Sequence, residues 1–192
     1  MKKIILTIIV TGLFFLLRSQ VALAENFAGN SARFSIGLRI NSAEQVELNY
    51  KLKESAIKAV LMRYDSPMAN NSSSFIETCR KYELDCFLLP SIAGLESTFG
   101  RFTYPNSNNP FGWNRGYMMF GSWNQAIDTV GKGLRDGYIN KGAENIYAIG
   151  PIYSESPTWS LRVSWFRQQF ENEYQQELDK FSLLSSDFPV KL

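Results

Sequence analysis

Glu96 is the residue of this 192-residue chain best placed to move a proton, and the composition explains why a carboxyl must do so. The chain has no histidine and two cysteines. Ser-His-Asp triads, Cys-His pairs and HExxH zinc sites are therefore excluded, since each needs an imidazole as base or ligand. Two thiols are also too few for a four-thiolate zinc site or an iron–sulfur cluster. No metal and no cofactor is expected, and proton transfers fall to Asp, Glu, Lys or Tyr. The spacing of Leu88, Ile92, Leu95 and Phe99 predicts a helix with one apolar stripe, and Glu96 stands at the edge of that stripe. A carboxyl there is partly desolvated, which raises its pKa and keeps it protonated near neutral pH. That is the form a general acid needs when it protonates a glycosidic oxygen. An edge glutamate can equally be paired or snorkel to solvent, so its surroundings decide.

Those surroundings are Ser97-Thr98-Phe99-Gly100 and then a stretch rich in asparagine and aromatics: Asn106, Asn108, Asn109, Phe111, Gly112, Trp113 and Asn114. Amides that bond hydroxyl and acetamido groups, beside flat aromatic faces, suit a sugar chain. A loop whose asparagines and glycines serve turn geometry and whose aromatics fill the core has the same composition. Both explanations stay open on the residues alone.

The elements that must hold these residues are mostly helical. Residues 1–24 read as a secretory signal peptide: Lys2 and Lys3, an apolar run from Ile4 to Leu17, and Ala22-Leu23-Ala24 before Glu25. The run is 14 residues, short of the roughly 20 that span a bilayer; an uncleaved anchor is the alternative. Cleavage would leave no stable membrane anchor and a protein that is secreted or held in the cell envelope. With Lys2, Lys3 and Arg18 gone, 17 basic residues face 18 acidic ones, a net charge of −1, and no basic surface argues for nucleic acid. Export turns Cys79 and Cys86 into a possible disulfide, provided that the chain turns between them, because seven residues of straight helix hold two Cα atoms about 10.5 Å apart; free core thiols are the alternative. Residues 25–70 read as an N-terminal extension, with strand alternation over 34–40 and a helix over 42–64 that opens on a capping box. Residues 71–180 read as the main domain. Its helices are expected over 75–82 and 85–98, from Ser122 to Tyr138, and from Ser156-Pro157 onward with Trp159, Val163, Phe166, Phe170 and Tyr174 as its stripe. Between Gly100 and Gly121 no helical period appears, which predicts a small irregular or β lobe after the central helix. The tail, 181–192, reads as loose.

Four ordered motifs carry a family resemblance: Leu95-Glu96-Ser97-Thr98-Phe99-Gly100, Asn108-Asn109-Pro110-Phe111-Gly112-Trp113, the helix from Ser122 to Tyr138, and Tyr153-Ser154-Glu155-Ser156-Pro157-Thr158-Trp159. Together they resemble bacterial peptidoglycan glucosaminidases, the mannosyl-glycoprotein endo-β-N-acetylglucosaminidase-like domains of the lysozyme-like superfamily, over about Phe75 to Phe170. The resemblance implies a lysozyme-like fold, a peptidoglycan glycan strand as partner, and hydrolysis of its β-1,4 bonds. It makes Glu96 the acid at the end of the central helix and Tyr153 a catalytic residue lining the cleft near it. It places Asn109, Phe111 and Gly112 at the start of the substrate-lining lobe, with Trp113 and Tyr138 as further lining candidates and Trp159 as a packing residue.

One departure bears on mechanism. Members of that family often carry a second acid in the lobe, whereas this chain has no Asp or Glu from Ser97 to Ile127. Asp128 falls on the surface side of its helix, which leaves Glu155 as the candidate second carboxylate. Otherwise the substrate's own 2-acetamido group attacks the anomeric carbon, or Glu96 serves as acid and base in turn, as in the similar single-glutamate goose-type lysozymes and lytic transglycosylases. The alternatives are thus a muramidase or lytic transglycosylase on the same polymer, or an inactive glycan-binding module.

Overall fold

Six α-helices build the described part of the protein, which in this computed structural model comprises residues 42–187. The signal segment and the strand expected over 34–40 lie outside the described residues. The helices are α1 (Ser42–Arg63), α2 (Ser72–Lys81), α3 (Leu88–Ser97), α4 (Trp123–Gly137), α5 (Ile146–Tyr153) and α6 (Trp159–Asp187), with 3-10 turns at Ala69–Asn71 and Ile139–Lys141. Residues 42–180 form one compact unit, and no helix among the described residues is long and apolar enough to cross a membrane.

α3 is the axis of the core. Of its ten residues only Leu95 and Glu96 escape burial, as befits a helix with apolar or small residues all round. Its small residues let neighbours approach closely: a Cβ on Gly94 would stand 2.7 Å from the Phe99 ring and 2.8 Å from Phe166 of α6. The aromatic stripe of α6 closes this side, with Phe87 stacked on Phe170 at 5.8 Å and Phe99 edge-on to Phe166 at 5.3 Å. α1 and the residue after it are tied to α6 by Asn49 to Tyr174 (2.7 Å), the Arg63–Glu173 ion pair and Tyr64 to Gln169 (2.8 Å). α2 packs between α1 and α4.

Cys79 and Cys86 form a disulfide with Cα atoms 4.9 Å apart. The turn between them is made by Glu83 in the left-handed region (φ 50°), and Arg135 of α4 donates to the carbonyls of Tyr82 and Glu83.

Several boundaries differ from the sequence reading. α3 starts at Leu88 rather than Asp85, because Asp85 first makes a turn in which its carboxylate accepts from Phe87 N (3.0 Å) and its carbonyl from Leu88 N (2.9 Å). Ser156-Pro157 likewise forms a turn ahead of α6, closed by Trp159 N to Ser156 O at 3.1 Å. α6 stays helical through Asp187, past the point where the tail was expected to loosen. α5 has no counterpart in the sequence reading. Gly150 and Pro151 look like breakers there, yet Asn145 caps the helix by accepting from Tyr147 N and Ala148 N at 3.0 Å each. No strand occurs among the described residues, so of the irregular or β lobe expected after α3 they show the irregular form.

Candidate active site

α3 delivers Glu96 to the mouth of the lobe by stopping abruptly. Thr98, Phe99 and Gly100 take φ of 49°, 58° and 83°, three successive left-handed residues that only glycine adopts without strain. The turn persists because it is held from several sides. Thr98 N and Phe99 N close back on Gly94 O (3.1 Å) and Ala93 O (2.9 Å). The Ser97 hydroxyl accepts from Gly100 N (2.8 Å) and lies 2.8 Å from Pro110 O, and Ser66 Oγ donates to Phe99 O at 2.7 Å. The chain is thereby reversed at once, and the lobe backbone near Gly112 comes over the end of α3.

The Glu96 side chain is open to solvent on one side and enclosed on the others. Its Oε1 accepts from the indole Nε1 of Trp159 at 2.7 Å. Its Oε2 lies against Gly112, where a Cβ would stand 3.3 Å away. Burial raises the Glu96 pKa above the ordinary carboxylate value, while the Trp159 hydrogen bond and, more weakly, the charge of Arg162 act to lower it.

Four aromatic rings form a wall beside this carboxyl. Tyr153 is stacked on Trp159 (4.9 Å between centroids, 27° between planes) and lies 5.9 Å from Trp113 and 6.0 Å from Tyr138. Trp113 in turn sits 6.4 Å from Tyr138. Its indole lies on Gly133 of α4, where a Cβ would be 2.7 Å from the ring. The Tyr153 hydroxyl donates to Phe111 O at 2.7 Å. Burial first, then the Glu96 and Tyr138 charges, hold it neutral, well above the usual tyrosine range.

The structure therefore brings Glu96, Tyr153, Trp113 and Tyr138 together and places the other sequence candidates elsewhere. Asn109 was expected to meet substrate, but it is buried, and its amide is consumed within the loop: Nδ2 donates to Trp113 O (2.9 Å) and Met118 O (3.2 Å), and Oδ1 accepts from Trp113 N (3.1 Å). Phe111, also expected to line the cleft, is fully buried beneath the lobe. Glu155, the candidate second carboxylate, is exposed in the turn between α5 and α6. Asp128 pairs with Lys81 at 2.7 Å on the surface, as its helix position implied.

The richness in asparagine has a backbone cause, since Asn106, Asn108 and Asn114 all lie in the left-handed region, which asparagine tolerates better than most residues. Sequence reasoning gave Trp159 a packing role and missed its bond to Glu96. A signal was available: the N–H of a buried indole seeks an acceptor, and Trp159 opens a helix next to the motif that holds Tyr153.

As an arrangement, this is a solvent-reachable carboxyl with raised proton affinity beside flat aromatic faces. Among the described residues no group of three His, Cys, Asp or Glu side chains could hold a metal ion. The chain matches no protein-family model and no curated protein to a significant degree.

Proposed function

We propose that the chain is an exported glycosidase with a lysozyme-like fold that cleaves β-1,4 bonds of the peptidoglycan glycan strand, of the endo-β-N-acetylglucosaminidase type, with Glu96 as general acid. The observation that carries the reading is the Glu96 carboxyl itself. It is exposed to solvent, burial of part of the group raises its pKa, and it stands beside the partly exposed rings of Trp113, Tyr138 and Tyr153, backed by the buried Trp159, the kind of apolar surface on which sugar rings stack. Positioned acids of this kind contribute about 10²–10⁴-fold to rate. Tyr153 acts through position, holding the lobe by its bond to Phe111 O.

The lobe without carboxylates, from Ser97 to Ile127, favours one further reading. With no second acid there, Glu96 would protonate the leaving oxygen and then, as carboxylate, take a proton from water or from the sugar's own hydroxyl. The latter is transglycosylation. Mass spectrometry of digested peptidoglycan separates the outcomes: reducing N-acetylglucosamine supports the glucosaminidase, reducing muramic acid a muramidase, and a 1,6-anhydro end the transglycosylase. Glu96→Gln is expected to lose at least about 100-fold in turnover. Clearing of cell wall in a gel by this variant at the wild-type rate would overturn the assignment, and wild-type binding without any turnover would make the protein a glycan-binding module.

A further inference from the structure

Trp159 and Gly112 stand on opposite oxygens of the Glu96 carboxyl, and we infer that this pair decides which oxygen carries the proton and on which side it leaves. The inference rests on the general-acid reading above and adds to it a direction of proton delivery and a positioning residue, Trp159.

An indole N–H can only donate. Its bond to Oε1 is short, 2.7 Å, and a protonated carboxyl has one good acceptor, the carbonyl oxygen. Oε1 is therefore the carbonyl oxygen of the acid, and the hydroxyl proton resides on Oε2. Oε2 faces Gly112, whose missing side chain is what leaves room there: a Cβ would be 3.3 Å from Oε2. A leaving-group oxygen must come within about 2.6–3.2 Å of the proton-bearing atom, so a methyl group at that position would occupy its approach. Gly112 also has φ 64°, a conformation that side chains resist. Backbone geometry and the need for space thus both select glycine.

Tyr153 secures the two sides together. Its ring is stacked on Trp159 at 4.9 Å, which fixes the plane of the indole and the line of its N–H. Its hydroxyl donates to Phe111 O at 2.7 Å, which fixes the peptide leading into Gly112. The charged and titratable groups acting on the carboxyl are Arg162 from α6, which favours the carboxylate, and Tyr153 from α5, which is neutral. The lobe contributes the Gly112 backbone.

The experiment uses the full chain, purified peptidoglycan, and two variants that act on opposite oxygens. Trp159→Phe keeps an aromatic ring for Tyr153 and removes the donor together with part of the buried indole's volume, so its melting curve is recorded and the infrared shift, which a cavity alone does not produce, is the deciding readout. Its kcat is expected to fall about 10- to 100-fold, the effect of losing a hydrogen bond to a charged or ionisable group, with KM nearly unchanged. The alkaline limb of its pH profile should move upward, because a bond that favoured the carboxylate is gone. The infrared carbonyl stretch of protonated Glu96, identified by its loss in Glu96→Gln, should move to higher frequency. Gly112→Ala should also lose turnover, but with that stretch unmoved, since the Trp159 bond remains; a melting curve shows whether the variant is folded. Wild-type kcat and an unshifted stretch in Trp159→Phe would overturn the inference, as would a folded Gly112→Ala that turns over like wild type. An active Glu96→Gln would instead overturn the glycosidase reading. An inactive Glu96→Gln beside an unaffected Trp159→Phe would sink this inference alone.

Discussion

At the scale of the residue, Glu96 works against the stability of the fold that holds it. Its pKa is raised on folding, chiefly by burial, so the native state binds this proton more tightly than the unfolded chain does. Stability from this group is then fully present below the unfolded carboxylate value and is lost as pH rises through the folded one. Glu96→Gln, which cannot ionise, should melt higher than wild type at pH 7. The gain is small, given how much solvent screens the group, and it should vanish below about pH 4. Equal melting temperatures at pH 7 and pH 4 would contradict the burial argument. The position of Glu96 was readable because helical periodicity speaks about residues three and four apart. Its partners were not, since Trp159 is 63 residues away and Gly112 belongs to a segment without any period. Asn109 and Phe111 misled for a related reason: an amide that bonds a sugar and an amide that bonds its own loop have the same composition.

At the scale of the element, α4 separates two kinds of glycine. Gly137, at its end, has nothing within 4 Å of where a Cβ would be, whereas a Cβ on Gly133 would meet the Trp113 ring at 2.7 Å. Helix propensity alone favours alanine at either position by up to about 1 kcal/mol. Gly137→Ala should therefore gain a few tenths to about 1 kcal/mol in urea unfolding with activity unchanged. Gly133→Ala should lose activity by about tenfold or more, because Trp113 must leave the aromatic wall. Equal behaviour of the two variants in a lysis assay would refute the placement of Trp113. α4 was legible in the sequence down to its start, with Ser122 accepting from Gln125 N at 3.2 Å. The reciprocal Gln125 bond falls on Gly121 N (2.7 Å) rather than on the cap residue itself. α5 was illegible because its signals conflict, with an asparagine cap in front and Gly150-Pro151 within. The lobe was read as irregular or β, and its order comes from buried serine and asparagine side chains satisfying left-handed backbone, for which no periodicity exists.

At the scale of the whole molecule, the mostly helical class was legible, and the neighbours of each helix were not, because stripes show that a face is buried without saying against what. The disulfide links α2 to the entry of α3, the helix that carries Glu96, across a sequence separation of 7. A loop of that length is worth about 2–3 kcal/mol by chain entropy. The double variant Cys79→Ala, Cys86→Ala should accordingly unfold at lower denaturant by about that amount and keep its activity while folded. A melt unchanged by reduction would show that the crosslink adds nothing to the packing of α2, α3 and α4. The bond between Trp159 and Glu96 has a consequence of another kind. An indole whose N–H is tied to an ionisable carboxyl, and whose face is stacked on a tyrosine, changes its excited-state environment whenever that carboxyl gains or loses charge. Of the four tryptophans, Trp159 is thus expected to report the ionisation of Glu96 with no substrate present, as a pH-dependent part of the emission that Trp159→Phe removes.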